Sequence, residues 1–237
     1  SSILKKNNEV HYTRNLNDEK ISNCDFVILP SSIIAHETEL SILSKLKNKK
    51  IFVTGIFANT MKDKYLKENS IVVKNESDIF FYNLKKNGKL NKEFLDNLFI
   101  NKDLINDFYS PVLLDDLPFP DWFSYSKKFR LRNDFFSLKE KIAIPILATR
   151  GCPYSCFFYC TYPLQQGRKV RARSIENIIN EIKFWKKELG TNKFVFRDPV
   201  FSINRKHTIE SCQQVIKQKL EITFMVETHL NNLDDEM

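Results

Sequence analysis

Three of the five cysteines in this 237-residue chain are crowded into one short stretch. Cys152, Cys156 and Cys160 fall within nine residues, whereas Cys24 and Cys212 stand alone. Three thiolates from one loop suit a four-iron four-sulfur cluster, in which the protein holds three irons and the fourth stays open to another ligand. An open iron indicates reactivity rather than simple electron storage, so the spacing predicts a reactive 4Fe-4S site.

Other uses of the same three thiols stay open. A structural zinc site usually takes four nitrogen or sulfur ligands, and no fourth Cys or His follows nearby. A disulfide is disfavoured because the sequence shows no secretory context. The three cysteines would otherwise be ordinary members of an apolar loop. Cys24 and Cys212 lie in apolar patterns and are predicted to be buried as small hydrophobes.

Two carboxylates follow predicted strands beyond the cysteines. Asp198 ends one strand and Glu227 ends the next. In parallel sheets and α/β barrels, the loops at the carboxyl ends of the strands carry the chemistry. Both side chains are therefore expected at the same edge as the cysteine loop. As ordinary residues, Asp198 would be a turn residue before Pro199, and Glu227 would be a solvated strand end.

The elements that position these residues form a βαβαβ pattern. Residues 142–149 are an apolar run, typical of a strand buried on both faces, and lead directly into the cysteine loop. Ser174 and Gly190 bracket a helix as its N-cap and left-handed C-cap, with apolar residues at helical spacing between them. The remaining predicted elements are a strand at 194–196, a helix at 208–219 and a strand at 222–226.

Residues 1–86 show the same alternation on a smaller scale, which predicts a small α/β domain with a parallel sheet. Its predicted strands are 10–13, 25–29, 51–54 and 71–73, and its predicted helices are 37–47, 62–67 and 78–85. Residues 87–141 are predicted to connect two domains, because their periodicity weakens and Pro118 and Pro120 forbid a continuous helix.

The composition excludes several classes of protein. The net charge of +8 comes from 37 Lys plus Arg against 29 Asp plus Glu, but the lysines are scattered, so a nucleic-acid partner is not expected. No apolar run approaches the roughly 20 residues that span a bilayer. Neither the dinucleotide-binding nor the phosphate-loop glycine motif is present. One dense basic run, which either binds an anionic substrate or is solvated, follows the cysteines: Arg168, Lys169, Arg171 and Arg173.

A resemblance to the cluster loop of radical S-adenosylmethionine enzymes is carried by Thr149-Arg150-Gly151-Cys152-Pro153-Tyr154-Ser155-Cys156-Phe157-Phe158-Tyr159-Cys160, followed by Thr161-Tyr162-Pro163. It extends through 171–174, 196–204 and 227–228. The resemblance is closest to the branch with an N-terminal cobalamin-binding domain, which residues 25–85 and 117–122 also resemble. It covers most of the chain, and the loop is its most specific part.

The loop departs from that family in one respect. The family spaces its cysteines CxxxCxxC, whereas this chain has CxxxCxxxC. In strict register Tyr159 would stand at the third ligand position, where a tyrosine cannot replace a thiolate. A bulge of one residue instead lets Cys160 bind, and we favour it because loops absorb insertions readily. The predicted metal ligands are Cys152, Cys156 and Cys160, and the predicted cofactor contacts are Tyr159, Asp198 and Glu227.

The resemblance implies an α/β fold in three parts: a truncated Rossmann-like cobalamin-binding domain (1–86), a connector (87–141) and the first strands of a radical S-adenosylmethionine (β/α) barrel (142–237). It also implies a 4Fe-4S cluster, S-adenosylmethionine and, as a third cofactor that the branch allows, cobalamin. The open iron would chelate the amino and carboxylate groups of S-adenosylmethionine, and Asp198 or Glu227 would hold a ribose hydroxyl or the methionine amine. Cobalamin would lie near Ser31, Ser32, Gly55 and Ala58.

The function that the resemblance implies is cleavage of S-adenosylmethionine in a cytoplasmic enzyme, and cobalamin-dependent methylation of an unactivated carbon is one reaction it allows. The expected partners are a small-molecule or lipid-like substrate and an electron donor such as flavodoxin or ferredoxin. The alternative is a degenerate family member that has lost the cluster and acts as a binding or scaffold module. The chain begins without Met, and we expect it to be a piece of a longer protein.

Overall fold

The computed structural model describes residues 2–5, 8–87, 90–124, 143–156 and 159–235. The chain forms two compact units, Ser1–Val112 with Leu164–Gln166, and Leu113–Pro163 with Gly167–Met237. The α-helices include α1 Ser2–Lys5, α2 Glu19–Asn23, α3 His36–Lys45, α4 Ile56–Thr60, α5 Lys62–Tyr65, α6 Ser77–Asn87, α7 Lys92–Ile100, α8 Tyr162–Gln166, α9 Ile175–Leu189 and α10 Arg205–Lys217. The strands are β1 Phe26–Pro30, β2 Lys50–Thr54, β3 Ser70–Val72, β4 Ala143–Ile146, β5 Thr149–Arg150, β6 Arg171–Ala172, β7 Lys193–Phe196 and β8 Thr223–Met225.

The first unit is built on a three-stranded parallel sheet in the order β1-β2-β3. Its central strand is buried on both faces, since successive side chains of a strand point to opposite sides. Ile51 and Val53 belong to a core that includes Leu43 of α3 and Tyr65 of α5. The predicted parallel sheet of residues 1–86 is therefore present, although residues 10–13, predicted as a further strand, form none.

Phenylalanines fill the other face of this sheet. The ring of Phe52 lies 5.2 to 5.8 Å, between centroids, from those of Phe80, Phe81 and Phe99, and 5.4 Å from that of Phe26. These edge and tilted contacts are the geometries that aromatic pairs favour. Phe99 belongs to α7, so the first part of the stretch predicted as a connector is helical and contributes to the core of the first unit.

The second unit is built on the parallel sheet β4-β7-β8. Helix α9 covers it with a row of buried apolar side chains, including Ile178, Ile182 and Trp185. The predicted caps of this helix are confirmed. The hydroxyl of Ser174 accepts a hydrogen bond from the N–H of Asn177 at 3.1 Å, and Gly190 adopts the left-handed conformation at φ +62°.

The strand that leads to the cysteines is shorter than predicted. β4 ends at Ile146, and residue 142 lies outside the described residues. The chain then leaves the sheet, and Thr149 and Arg150 pair with β6 in an antiparallel hairpin instead. The predicted unbroken strand over 142–149 is thus divided into two short strands that belong to different sheets.

Candidate functional site

The start of the cysteine loop is fixed by Gly151, which follows β5. Its φ of +88° is rare for residues with a side chain, and a Cβ at this position would lie 2.2 Å from the carbonyl oxygen of Lys169. The next residue, Cys152, donates its N–H to the carbonyl of Gly167 at 3.1 Å. The two ends of the loop therefore approach each other closely, backbone to backbone.

The three clustered cysteines differ in exposure. Cys152 is buried, Cys160 is half-buried and Cys156 is exposed, and all three are free thiols. Residues 157 and 158 lie outside the described residues. In the described parts of the chain, no three His, Cys, Asp or Glu side chains are grouped so that they could hold a metal ion. The loop supplies the sulfur donors that an iron–sulfur cluster requires, and their role as ligands stays a prediction.

Asp198 follows β7 and is completely buried, at 0% exposure. Its Oδ1 accepts hydrogen bonds from the N–H and the hydroxyl of Thr149, the latter at 2.6 Å, and its Oδ2 accepts one from the N–H of Ala148 at 3.2 Å. Burial raises the pKa of this carboxyl above its ordinary value, while the hydrogen bonds from Thr149 and Ala148 oppose that rise. The carboxylate is thus engaged by the segment that leads to Cys152, and its predicted contact with the cofactor stays a prediction.

Glu227 follows β8 and is exposed. It forms an ion pair with Arg197, which follows β7. Such exposed pairs contribute little to stability, so the carboxylate can exchange its partner at small cost. Tyr159, the third predicted cofactor contact, is 72% exposed.

Tyr162 lies at the start of α8, and the pKa of its hydroxyl responds to charged residues of the cysteine loop and of the loops after β7 and β8. Burial raises the pKa of its hydroxyl above the usual value, and the charge of Glu227 raises it further. Arg197 opposes the rise, while Cys160 and Asp198 add to it. The predicted residues from the cysteine loop and from the ends of two strands therefore act on one tyrosine. The signal that could have singled out Tyr162 is its position two residues after the last cysteine.

Tyr154 ties the cysteine loop to the segment after β8. Its ring stacks on His229, with 4.9 Å between centroids and 26° between planes, and its hydroxyl donates to Asn232 Oδ1 at 2.7 Å. The sequence gives no local signal for this contact, because the partners are 75 or more residues apart in the chain.

Arg168 and Arg173, at the two ends of the basic run, bind the protein itself. Arg168 donates to the carbonyl of Tyr154 and to the hydroxyl of Ser155, both at 3.3 Å, at the base of the cysteine loop. The guanidinium of Arg173 is largely buried and pairs with Glu181 on α9. Arg168 is exposed and holds the loop from the surface, whereas Arg173 acts from within the fold, a use that neither interpretation of the basic run foresaw.

The loops after β1 and β2 interlock at the carboxyl edge of the first sheet. The hydroxyl of Ser31 accepts a hydrogen bond from the N–H of Ala58 at 2.9 Å, and a Cβ on Gly55 would lie 2.6 Å from the carbonyl oxygen of Ser31. The N–H of Ser32 donates to the buried carboxylate of Glu39 at 2.8 Å. All four residues predicted to lie near cobalamin are thus at one edge of this sheet.

Comparison with known proteins supports the resemblance carried by the cysteine loop. The chain is 28% identical over 204 residues to the anaerobic magnesium-protoporphyrin IX monomethyl ester cyclase of Cereibacter sphaeroides, covering 81% of this chain and 32% of the relative. It is 38% identical over 76 residues to the bacteriochlorophyllide d C-12(1)-methyltransferase of Chlorobaculum tepidum, covering 31% of this chain and 16% of the relative. The chain spans less than a third of the length of either relative. No family model matches.

The fold matches a solved structure of the cobalamin-dependent S-adenosylmethionine radical enzyme OxsB with aqua-cobalamin and S-adenosylmethionine bound. The TM-score is 0.58 at 16% identity, over 89% of this chain and 32% of that chain. The resemblance to radical S-adenosylmethionine enzymes with an N-terminal cobalamin-binding domain is thereby confirmed. The α/β architecture with parallel sheets is the fold that the two chains share. Among the residues that the structure describes, no helix is long and apolar enough to cross a membrane.

Proposed function

We propose that this chain binds a 4Fe-4S cluster through Cys152, Cys156 and Cys160 and uses it to cleave S-adenosylmethionine. The observation that carries the proposal is the placement of three free thiols on one short loop at the carboxyl edge of a parallel sheet. The OxsB fold match and the relatives among methyltransferases and cyclases support it.

The cluster, when bound, would supply an electron to the sulfonium of S-adenosylmethionine, and the protein would bind, orient and shield the reactants. In this proposal the one-residue bulge brings Cys160 to the third ligand position, with Tyr159 directly before it. Glu227 is the carboxylate available to a ribose hydroxyl or the methionine amine. Both Glu227 and its partner Arg197 are partly exposed, so water can replace either partner when the pair opens. Tyr162 lies among the same charges and offers a hydroxyl at that place.

The finer parts of the proposal concern the whole protein. We propose that residues 142–237 are the first strands of a (β/α) barrel, that residues 1–86 bind cobalamin, and that the protein continues beyond this chain. The relatives named above act, by their names, on a porphyrin ester and a bacteriochlorophyllide, so a small organic molecule is the substrate class we propose. Methylation of an unactivated carbon, a cytoplasmic location and a flavodoxin or ferredoxin as electron donor complete the proposal.

Anaerobic reconstitution with iron and sulfide tests the cluster directly. We expect about four irons per chain, because three thiolates and one open site belong to one 4Fe-4S cluster. Cys160→Ser should abolish the bound iron, while Cys212→Ser should retain it, since Cys212 lies on α10 outside the loop. Tyr159→Phe should also retain it. After reduction, the loaded protein should convert S-adenosylmethionine to 5′-deoxyadenosine and methionine.

Two results would overturn this assignment. A chain that takes up no iron would favour the degenerate binding or scaffold module. Retention of iron by Cys160→Ser together with its loss in Tyr159→Phe would contradict the bulged register.

A further inference from the structure

Residues 147–149 connect the end of β4 to the start of the cysteine loop. At this exit, the chain leaves the sheet of β4 and leads to Gly151 and Cys152. Residues in regular strands satisfy their backbone groups through neighbouring strands, but residues at such an exit need other partners. Leu147 and Ala148 lie between β4 and β5 and belong to neither strand. Their backbone groups are nevertheless bonded, and the partners come from two distant parts of the chain.

Arg173 binds the carbonyl side of this exit. Its guanidinium donates to the carbonyl of Leu147 at 3.0 Å, and its own N–H donates to the carbonyl of Ala148 at 2.9 Å. The guanidinium is held in turn by Glu181 and by Asn177, whose Oδ1 accepts from Nε at 2.7 Å. Since Glu181 and Asn177 belong to α9, this side of the exit is anchored to that helix.

Asp198 binds the amide side of the same exit. Its two carboxylate oxygens accept the N–H groups of Ala148 and Thr149, and Oδ1 also accepts the Thr149 hydroxyl. Charge-assisted hydrogen bonds of this kind are about twice as strong as neutral ones. Because Asp198 lies two residues after the end of β7, this side of the exit is anchored to the sheet.

The burial of Asp198 argues against direct contact with a cofactor. The residue has no exposed surface, and both of its carboxylate oxygens already accept hydrogen bonds from the protein. Ala148 and Thr149 are also buried, so the carboxylate faces backbone rather than an open site. A ligand would have to break these bonds and open the segment to reach it.

We propose that Asp198 and Arg173 are positioning residues that hold the 147–149 peptide from both sides and thereby fix the direction in which Gly151 and Cys152 enter the cysteine loop. This inference rests on the proposed function, because it assigns a purpose to the loop that the proposed cluster would occupy. It gives Asp198 a role different from the cofactor contact expected from its strand-end position.

Asp198→Asn tests the amide side with little change of shape. Asparagine has one acceptor oxygen, so its NH2 group would face one of the two backbone N–H groups that the carboxylate now binds. We expect the amides of residues 148 and 149 to exchange hydrogen for deuterium about tenfold faster or more in the iron-free chain, as the loss of a charged hydrogen bond implies. Glu188→Gln, at an exposed position on α9, is the matched control and should exchange like the wild type.

A second pair of variants isolates the Asp198 contact at its partner. Thr149→Val removes the hydroxyl but keeps the branched shape, whereas Thr149→Ser retains the hydroxyl. We expect faster exchange at residues 148–152 in the valine variant and near wild-type exchange in the serine variant. Arg173→Lys should loosen the same peptide, because an ammonium group cannot reproduce the planar fork that joins Leu147, Asn177 and Glu181.

The reconstituted variants supply the second measurement. Asp198→Asn and Thr149→Val should bind less iron than the wild type, or show a changed electron paramagnetic resonance spectrum of the reduced cluster. Wild-type exchange and a wild-type spectrum in both variants would overturn the proposal, and so would a variant that loses only its affinity for S-adenosylmethionine. If the wild type itself takes up no iron, the proposed function fails, while the exchange measurement still decides whether Asp198 positions the loop.

Discussion

At Gly151 and Gly167 the backbone adopts positive φ angles of similar size, +88° and +79°, but the surroundings differ. A Cβ on Gly151 would collide with the carbonyl of Lys169, whereas a Cβ on Gly167 would meet no atom within 4 Å. Comparing the two glycines therefore separates the effect of backbone strain from the effect of a steric collision. The positions are close in the fold, because Cys152, the neighbour of Gly151, donates its N–H to the carbonyl of Gly167.

Alanine at these two glycines should have unequal effects. Gly167→Ala should cost about 1–3 kcal/mol, because the combination of φ +79° and ψ 178° is adopted almost exclusively by glycine. Gly151→Ala should cost more, because the carbonyl of Lys169 must also move and the start of the cysteine loop moves with it. Urea unfolding measures the stabilities, and iron uptake measures the loop. Equal losses of stability and equal iron uptake would contradict the close approach at Gly151.

At the scale of elements, α9 is important because its residues Asn177 and Glu181 hold the guanidinium of Arg173, which binds the peptide after β4. The helix begins at a capped end. The Ser174 hydroxyl accepts the N–H of Asn177, and the Ser174 N–H donates to the carboxylate of Asp115 at 2.9 Å. The first turn of α9 is thus fixed by its own cap and by a residue outside the helix.

Ser174→Ala should lower the free energy of unfolding by about 1 kcal/mol, the usual effect of removing an N-cap hydroxyl. Ser174→Asp should retain most of the stability as far as the cap is concerned, because aspartate also caps well, although Asp115 then faces a like charge. Ser211→Ala is a useful control, since its hydroxyl bonds within α10 to the carbonyl of His207 and caps nothing. The midpoints of urea denaturation compare the three variants. A Ser174→Ala midpoint equal to that of the wild type would show that the cap contributes nothing.

At the scale of the whole molecule, each unit has its own parallel sheet and its own loops at the carboxyl edge. Ligands of open α/β sheets bind at that edge. In the first unit, the edge is shaped by the contact of Gly55 with Ser31 and by the hydrogen bond of Ser31 with Ala58. This is the surface that the proposed cobalamin would use.

Titration with hydroxocobalamin tests that surface. The 237-residue chain should shift the corrin absorbance weakly, and an N-terminally extended chain should shift it more strongly. Gly55→Val should weaken the shift, because its Cβ would lie 2.6 Å from the Ser31 carbonyl. Gly190→Ala is the control, since it lies in the second unit and its Cβ would meet nothing within 4 Å. If the extended chain gives no shift at saturation, a cobalamin-independent radical reaction replaces the methylation proposal.

The sequence by itself determined the features that depend on neighbouring residues. Ser174 and Gly190 specify the ends of α9, because capping is a matter of a few adjacent backbone groups. The apolar runs at 51–54 and 194–196 identified buried parallel strands, and the cysteine spacing identified the loop. Each of these signals is complete within a window of about one element.

Only the tertiary structure decided where these elements meet. At the break of the predicted 142–149 strand, Asp198 and Arg173 bind the peptide after Ile146 from 25 or more residues away. The burial of α7 depends on a phenylalanine face that forms only when the first sheet is assembled. Residues 10–13 show the converse: their pattern suits a strand, but they form none, and no strand of the described residues pairs with them. Periodicity records which side of an element is apolar, but hydrogen bonds between distant segments decide where a strand ends and which carboxylate is buried.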